Sequence, residues 1–306
     1  MSKQKETRLQ YTFKSDVLFK MLFSRNPNLL KRLIAVLLNI PLESIEHFYI
    51  SNAEMPAEEI GKKFCRLDIN MIINGERVNL EIQVEDEGNY PERIMFHWAK
   101  LFTTSLPSGK DYSELPKAIC ISILGFVQFD CAEVHSEFAP MEITRHNVLS
   151  DKQRYHFFEL PKLPNIDTID FTSERDLWLA LFNAETEEEL EKLTKGGEVM
   201  EQAIEAYRGI TVDEEFRYLE ILRARARHDE AQALHNAELK GERRGEKRGE
   251  KRGEKRANQK WQVVVSEKDA ALKESKTALK ESETALKEKD ILIADLLSQL
   301  NKKTII

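Results

Sequence analysis

Apolar positions recur along the first half of the chain with two different periods, and the switches between them mark out the elements. Ser15-Asp16 precedes VLFKMLF, a stretch of helical period, and a hydroxyl or carboxylate there accepts orphan N–H groups of a first turn, so the pattern predicts a short helix to Phe23. Asn26-Pro27 opens a second helix, NLLKRLIAVLLNI, apolar on nearly every side and ended before Pro41. Strand patterns follow at IEHFYIS, CRLDINMII and RVNLEIQV. A helix from Pro91 to about Leu106 comes next, then PKAICISIL, whose length and β-branched content suit a strand buried on both faces. Strand-like stretches near Glu142 to Val148 and Arg154 to Leu160 close this region.

From about Phe171 to Leu239 the pattern becomes helical and acidic, which reads most simply as a helical cap or extension. Two repeats then follow. GERR-GEKR-GEKR-GEKR, residues 241–256, carries a glycine in every four residues and sets Glu against Glu at i,i+4, so a flexible mixed-charge linker is expected. Val265, Leu272, Leu279, Leu286, Ile293 and Leu300 are seven apart, a coiled-coil seam whose second core position is mostly polar until Leu296. The predicted organisation is a core over residues 1–165, a helical extension over 166–240, the repeat linker over 241–256 and a heptad helix over 257–306.

Composition adds limits. The chain has 306 residues, 41% hydrophobic and 32% charged, enough for a large domain plus an appendage, with more charge than a compact core needs. No apolar run approaches the ~18 residues of a membrane span and the start lacks a signal-peptide pattern, so a soluble, cytoplasmic protein is expected. Three cysteines without CxxC spacing argue against a zinc module or a disulfide scaffold. The formal net charge of -7 is unevenly spread, at -3 over residues 1–160, -9 over 161–240, +4 over 241–256 and +1 over 257–306. Bulk electrostatic attraction to nucleic acid is therefore local to the repeat.

The candidate chemistry lies in RLDINMII-NG-ERVNLEIQV. Asn74-Gly75 is a strong hairpin signal because both central residues of a type I′ turn need positive φ. With those two residues as the loop, Ile73 faces Glu76, Met71 faces Val78, Asp68 faces Glu81 and Arg66 faces Gln83. Val78, Leu80, Ile82 and Val84 then form an apolar face, and Arg77, Asn79, Glu81, Gln83 and Glu85 a polar one. Facing carboxylates repel unless a proton or cation lies between them, and a hard divalent ion would resolve the conflict; a solvated acidic face is the alternative. On the following helix Arg93, His97 and Lys100 form a stripe that could hold backbone phosphates or be a solvated face.

An acid, about a dozen residues, then Glu-x-Gln on the next strand, with a helix before and after, resembles the PD-(D/E)XK nuclease core. KSDVLFKMLF, LDI, LEIQ and FFELPKL, in that order over roughly residues 10–235, resemble the recombination-promoting nuclease and transposase family often labelled PD-(D/E)XK transposases. The resemblance implies an α/β restriction-endonuclease-like fold, a mixed central sheet flanked by helices, here with a helical C-terminal extension and coiled coil. It also implies DNA as partner and Mg²⁺ as cofactor, with Mn²⁺ a substitute. Asp68, Glu81 and the main-chain carbonyl of Ile82 would hold the metal, and Asp68, Glu81 and Gln83 would form the catalytic set. Gln83 stands where the family pattern usually has lysine and supplies no positive charge; the resemblance implies that glutamine is an accepted variant compatible with cleavage, with Arg66, Arg77, Arg93 and Lys162 as candidates to compensate. Asp16 and Glu54 match positions of an additional acid, Asp16 doubling as a helix cap, and Arg66, Arg77, Arg93, His97 and Lys100 are candidate phosphate contacts.

These features favour a Mg²⁺-dependent DNA endonuclease tied to recombination, mobile elements or defence. The alternative is a nuclease fold of little or no activity that acts as an assembly or regulatory module, forming a homo-oligomer through its C-terminal helix. The acidic surface and the Glu85-Asp86-Glu87 run beside the site point to the alternative.

Overall fold

The computed structural model describes residues 7–51, 68–103 and 111–303. Two compact units emerge, residues 1–231 and 232–306. Glu54, Cys65 and Arg66 lie outside the described residues.

In the first unit, helices α1 (Asp16–Arg25) and α2 (Pro27–Leu37) begin where the caps predict. Ser15 is the N-cap of α1, its Oγ accepting from Leu18 N at 3.2 Å, and Pro27 occupies the first turn of α2, where its missing N–H is not needed. Strands β1 (Phe48–Ile50), β2 (Ile69–Ile73) and β3 (Glu76–Gln83) follow, then α3 (Tyr90–Thr103), β4 (Ala118–Leu124), β5 (His135–Phe138) and β6 (Gln153–Glu159). Among the described residues these strands form one mixed sheet in the order β1-β2-β3-β4-β6-β5, with β3, β4 and β6 parallel and the outer pairs antiparallel.

The β2–β3 register is the one the turn dictates: Ile73 faces Glu76 and Met71 faces Val78, with Asn74 at φ 50° and Gly75 at φ 87°. Asn74 also ties the turn to the chain before β1, its Oδ1 accepting from Glu46 N and His47 N at 3.0 and 2.9 Å. β4, paired on both sides, is buried along its whole length, as its unbroken apolar run requires.

Two apolar layers enclose the sheet. Val78 and Leu80 belong to the larger one, with α1, α2 and the helices α4 (Glu174–Asn183), α5 (Glu187–Leu193) and α6 (Glu198–Thr211). The smaller layer joins Tyr90 and Ile94 of α3 to Cys120, Leu124, Tyr155 and Phe157. The polar alternates of β3 therefore face α3.

Two local expectations are corrected. Residues 142–148 are not a strand: Glu142 caps a turn, accepting from Thr144 N and Arg145 N, and only the isolated Met141–Val148 bridge remains. The strand beside β6 is β5, missed because HSEF has one apolar residue and lies at the sheet edge. Residues 241–256 are helical, within α7 (Glu214–Lys303), and not an irregular linker. Three of every four residues there are strong helix formers, and Lys247/Glu250 and Lys251/Glu254 are favourable i,i+3 pairs that offset part of the glycine cost. In the second unit the heptad residues Val265, Leu272, Leu279, Leu286 and Ile293 are exposed along the helix.

Candidate functional site on β3 and α3

Glu81 sits at the centre of β3 with 5% of its surface exposed, in register with Ser122 of β4. The Tyr90 hydroxyl donates to Glu81 Oε1, and Ser122 Oγ lies 2.8 Å from the same hydroxyl. Arg93 Nη2 is 3.5 Å from Glu81 Oε1 and donates to Gln83 Oε1 at 3.0 Å. His97 Nδ1 lies 3.6 Å from Glu81 Oε2, an electrostatic contact longer than a good hydrogen bond. Burial alone would raise the Glu81 carboxyl, but His97, the Arg93 charge and the Tyr90 hydroxyl together hold it below the usual carboxylate range. Burial and the Glu81 charge push the Tyr90 phenol well up, so it stays protonated and donates. Glu81 is thus ionised at neutral pH, the state a metal ligand needs.

Asp68 lies one residue before β2, on the face that carries Asn70, Asn79 and Glu81. Its Oδ2 accepts from Asn79 Nδ2 at 2.6 Å and from Asn70 Nδ2 at 3.0 Å. Each carboxylate therefore has its own donors, which corrects the expectation that only a proton or a cation between them could relieve the repulsion. Asn79 Nδ2 also reaches Asn70 Oδ1 at 3.0 Å, while Asn79 Oδ1 is buried with no hydrogen-bond partner among the described residues.

A cleft of ≈ 470 Å³ opens over this face, and Asp68, Asn79, Arg77, His97 and Lys100 line it together with Phe96. It brings Asp68, Arg77, His97 and Lys100 together, and His97 links it to Glu81. The carbonyl of Gln83 accepts from Gly125 N at 2.8 Å on the β4 side, so strand alternation turns the Ile82 carbonyl to the β2 side. At Gly125 an added Cβ would meet the Val84 backbone at 3.0 Å, and glycine permits this close approach.

Other expected residues stand elsewhere. Asp16 Oδ2 pairs with Arg223 Nε at 2.7 Å and its Oδ1 with Arg227 Nη1 at 3.4 Å, which gives this acid a structural account. Lys162 is committed to Glu159 at 2.7 Å and to the Phe129 carbonyl at 2.9 Å, and among the described candidates Arg93 stands beside Gln83. Tyr90, Ser122, Asn70 and Phe96 were not anticipated, and the sequence pattern places Asn79 on the polar face without a role. Ser122, the one hydroxyl in ICISIL and in register with Glu81, carried a signal of its own.

The donor chemistry fits a divalent cation in part. Among the described residues no three His, Cys, Asp or Glu side chains form a metal cluster. The candidate oxygens on this face, the Asp68 and Glu81 carboxylates and the unpartnered Asn79 Oδ1, are hard donors of the kind Mg²⁺ takes in small number while keeping waters.

A mixed sheet with helices on both faces, Glu81 on β3 and Asp68 just ahead of the adjacent β2, defines an α/β nuclease-like protein. The chain belongs to the PD-(D/E)XK nuclease family transposases, whose family model matches residues 13–237. Neither the curated proteins nor the solved structures contain a significant match. Membership supports a nuclease-like or transposase function with DNA as the ligand class, and PD-(D/E)XK nucleases generally use divalent metal ions. Among the described residues no helix is long and apolar enough to cross a membrane.

Proposed function

We propose that the protein is a Mg²⁺-dependent DNA endonuclease, Mn²⁺ serving as a substitute, whose site is the β3–α3 cleft and whose physiological setting is recombination, mobile elements or defence. The observation that carries this reading is Arg93. Its guanidinium, with 12% of the side chain exposed, bridges Glu81 and Gln83; Nη1 lies 3.7 Å from Glu87 Oε2, and Nε makes no hydrogen bond among the described residues. A guanidinium held in place beside the acids, with hydrogen-bonding capacity to spare, suits the non-bridging oxygens of a phosphodiester.

Asp68, Glu81 and the Ile82 carbonyl would hold the metal, which when bound polarises the scissile phosphate and acidifies the attacking water. Asn70 and Asn79 fix the Asp68 carboxylate by hydrogen bonds, and Tyr90 fixes that of Glu81. Gln83 orients a water through its amide, while Arg93 supplies the positive charge toward the pentacoordinate transition state that glutamine lacks. Arg77, His97 and Lys100 line the route of the DNA backbone.

The test is incubation of supercoiled plasmid with the protein in Mg²⁺, Mn²⁺, Ca²⁺ or EDTA, with Asp68→Ala and Glu81→Gln alongside. Metal-dependent nicking by wild type that both variants lose supports the reading. Cleavage surviving at full rate in Asp68→Ala, or none by folded wild type under any metal, overturns it. A second property, self-association, is favoured by the exposed heptad row from Val265 to Ile293, and would be the main function of a catalytically weak chain.

A further inference from the structure

We propose that Phe96 is a stacking platform for an unpaired nucleobase, so that the cleft takes single-stranded or splayed DNA in preference to intact duplex. The inference rests on the DNA reading above and names its substrate class. Phe96 lies on α3 between Arg93 and Lys100, lines the cleft that holds Asp68, and is 69% exposed. Packing does not explain it. The buried stripe of α3 is Tyr90 and Ile94, with Trp98 against it, and Phe96 is two residues from both Ile94 and Trp98, roughly 200° around the helix at 3.6 residues per turn.

Among the described residues no ring covers Phe96 face to face. The His97 ring is 6.3 Å away, centroid to centroid, and inclined at 60°, a tilted contact that leaves the phenyl face open. An exposed phenylalanine beside acids and cations forgoes burial that a flat apolar ligand would restore. A nucleobase is such a ligand, and its phosphates suit Arg77 and Lys100 in the same cleft. In intact duplex both faces of a base are covered by its neighbours, so an aromatic ring can stack only on a base that has left the stack or stands at an end. Stacking on Phe96 therefore selects for strand geometry and not for sequence.

The test uses full-length protein in EDTA, where binding is read without cleavage, and a short oligonucleotide carrying one 2-aminopurine, single-stranded or annealed to its complement. Wild type is expected to bind the single strand on the order of 10-fold more tightly and to quench the 2-aminopurine fluorescence. Phe96→Ala is expected to lose the preference and the quenching, and Phe96→Trp to keep both. Equal affinity for the two forms without quenching, or a Phe96→Ala variant indistinguishable from wild type, would overturn the inference and leave the DNA reading standing. Absence of binding to either form, together with absence of metal-dependent cleavage, would overturn both.

Discussion

Arg93 donates to Gln83 at 3.0 Å across the gap between α3 and the end of β3. The positive charge that the strand itself lacks at this point is thus supplied from the facing helix, anchored against the sheet by Tyr90 and Ile94. The guanidinium is fixed by Glu81 on one side and Gln83 on the other, so its charge is placed before any substrate arrives.

Arg93→Ala should lower the plasmid-nicking rate at saturating metal by on the order of 100-fold, the loss typical of one preorganised transition-state donor. Arg93→Lys should recover part of it, since a point charge replaces the fork but not its two-point geometry. Circular dichroism should show both folded. A rate within a few fold of wild type in Arg93→Ala would remove the guanidinium from the mechanism.

Asp68→Ala should abolish cleavage and also lower metal-free stability, by about 1 kcal/mol. Repulsion between facing acids alone would predict the opposite sign. The structure reverses it because Asn79, 4% exposed, loses the acceptor for its 2.6 Å hydrogen bond. Urea denaturation in EDTA distinguishes the two: a raised midpoint would mean that repulsion dominates.

Glu159 is fully buried, and its Oε1 accepts from Gln128 N at 2.6 Å and Phe129 N at 3.1 Å, latching the chain after β4 to the end of β6. Glu159→Ala leaves those N–H groups without an acceptor and should cost about 3 kcal/mol, read as a fall in the thermal midpoint. An unchanged midpoint would show that the latch contributes nothing.

Acid should weaken the fold through the His135–His156 pair, whose rings stack at 7° with Nε2 and Nδ1 3.1 Å apart. Burial holds both imidazoles below their usual range, His156 down to about 4, partly opposed by Glu137 and, for His156, reinforced by His135 and Arg154. Because the folded pKa is the lower one, the unfolded chain takes up protons first as pH falls. The stabilisation is full above the unfolded value near 6.5 and is lost toward about 4, on the order of 3 kcal/mol in all. His156→Phe should flatten midpoint against pH across that window; a curve parallel to wild type would exclude the pair.

Removing residues 257–306 should reduce the mass in light scattering to that of a single chain if the heptad row from Val265 to Ile293 pairs copies. Identical masses for full-length and truncated protein would dismiss pairing.

The hairpin was legible because Asn74-Gly75 admits one turn type, and a fixed two-residue loop sets every pairing from Ile73–Glu76 to Ile69–Leu80. The buried strand β4 was legible from its apolar run. β5 was not, since an edge strand with one apolar residue has no period to read. At the site, spacing on one strand located Glu81 and Gln83, and the family pattern gave Asp68 its role. The donors that hold these groups, Tyr90 for Glu81, Asn70 and Asn79 for Asp68 and Arg93 for Gln83, come from α3, β2 and β3 and converge only once these elements pack together. Helix 241–256 was misread because glycine cost was weighed against one unfavourable pair, without the compensating i,i+3 pairs.

Arg93 and His97 ride on α3, whose apolar footing among the described residues is the smaller cluster of Tyr90 and Ile94 against Cys120, Leu124, Tyr155 and Phe157. The acids ride on strands rooted in the larger cluster on the opposite face. Heating should therefore detach the cationic half of the site while the acidic half is still folded, because the less supported element opens at lower free energy. The working temperature of the protein is then set by a minor layer of the molecule, and cavity-filling substitutions there would extend it with little change in the main melting transition.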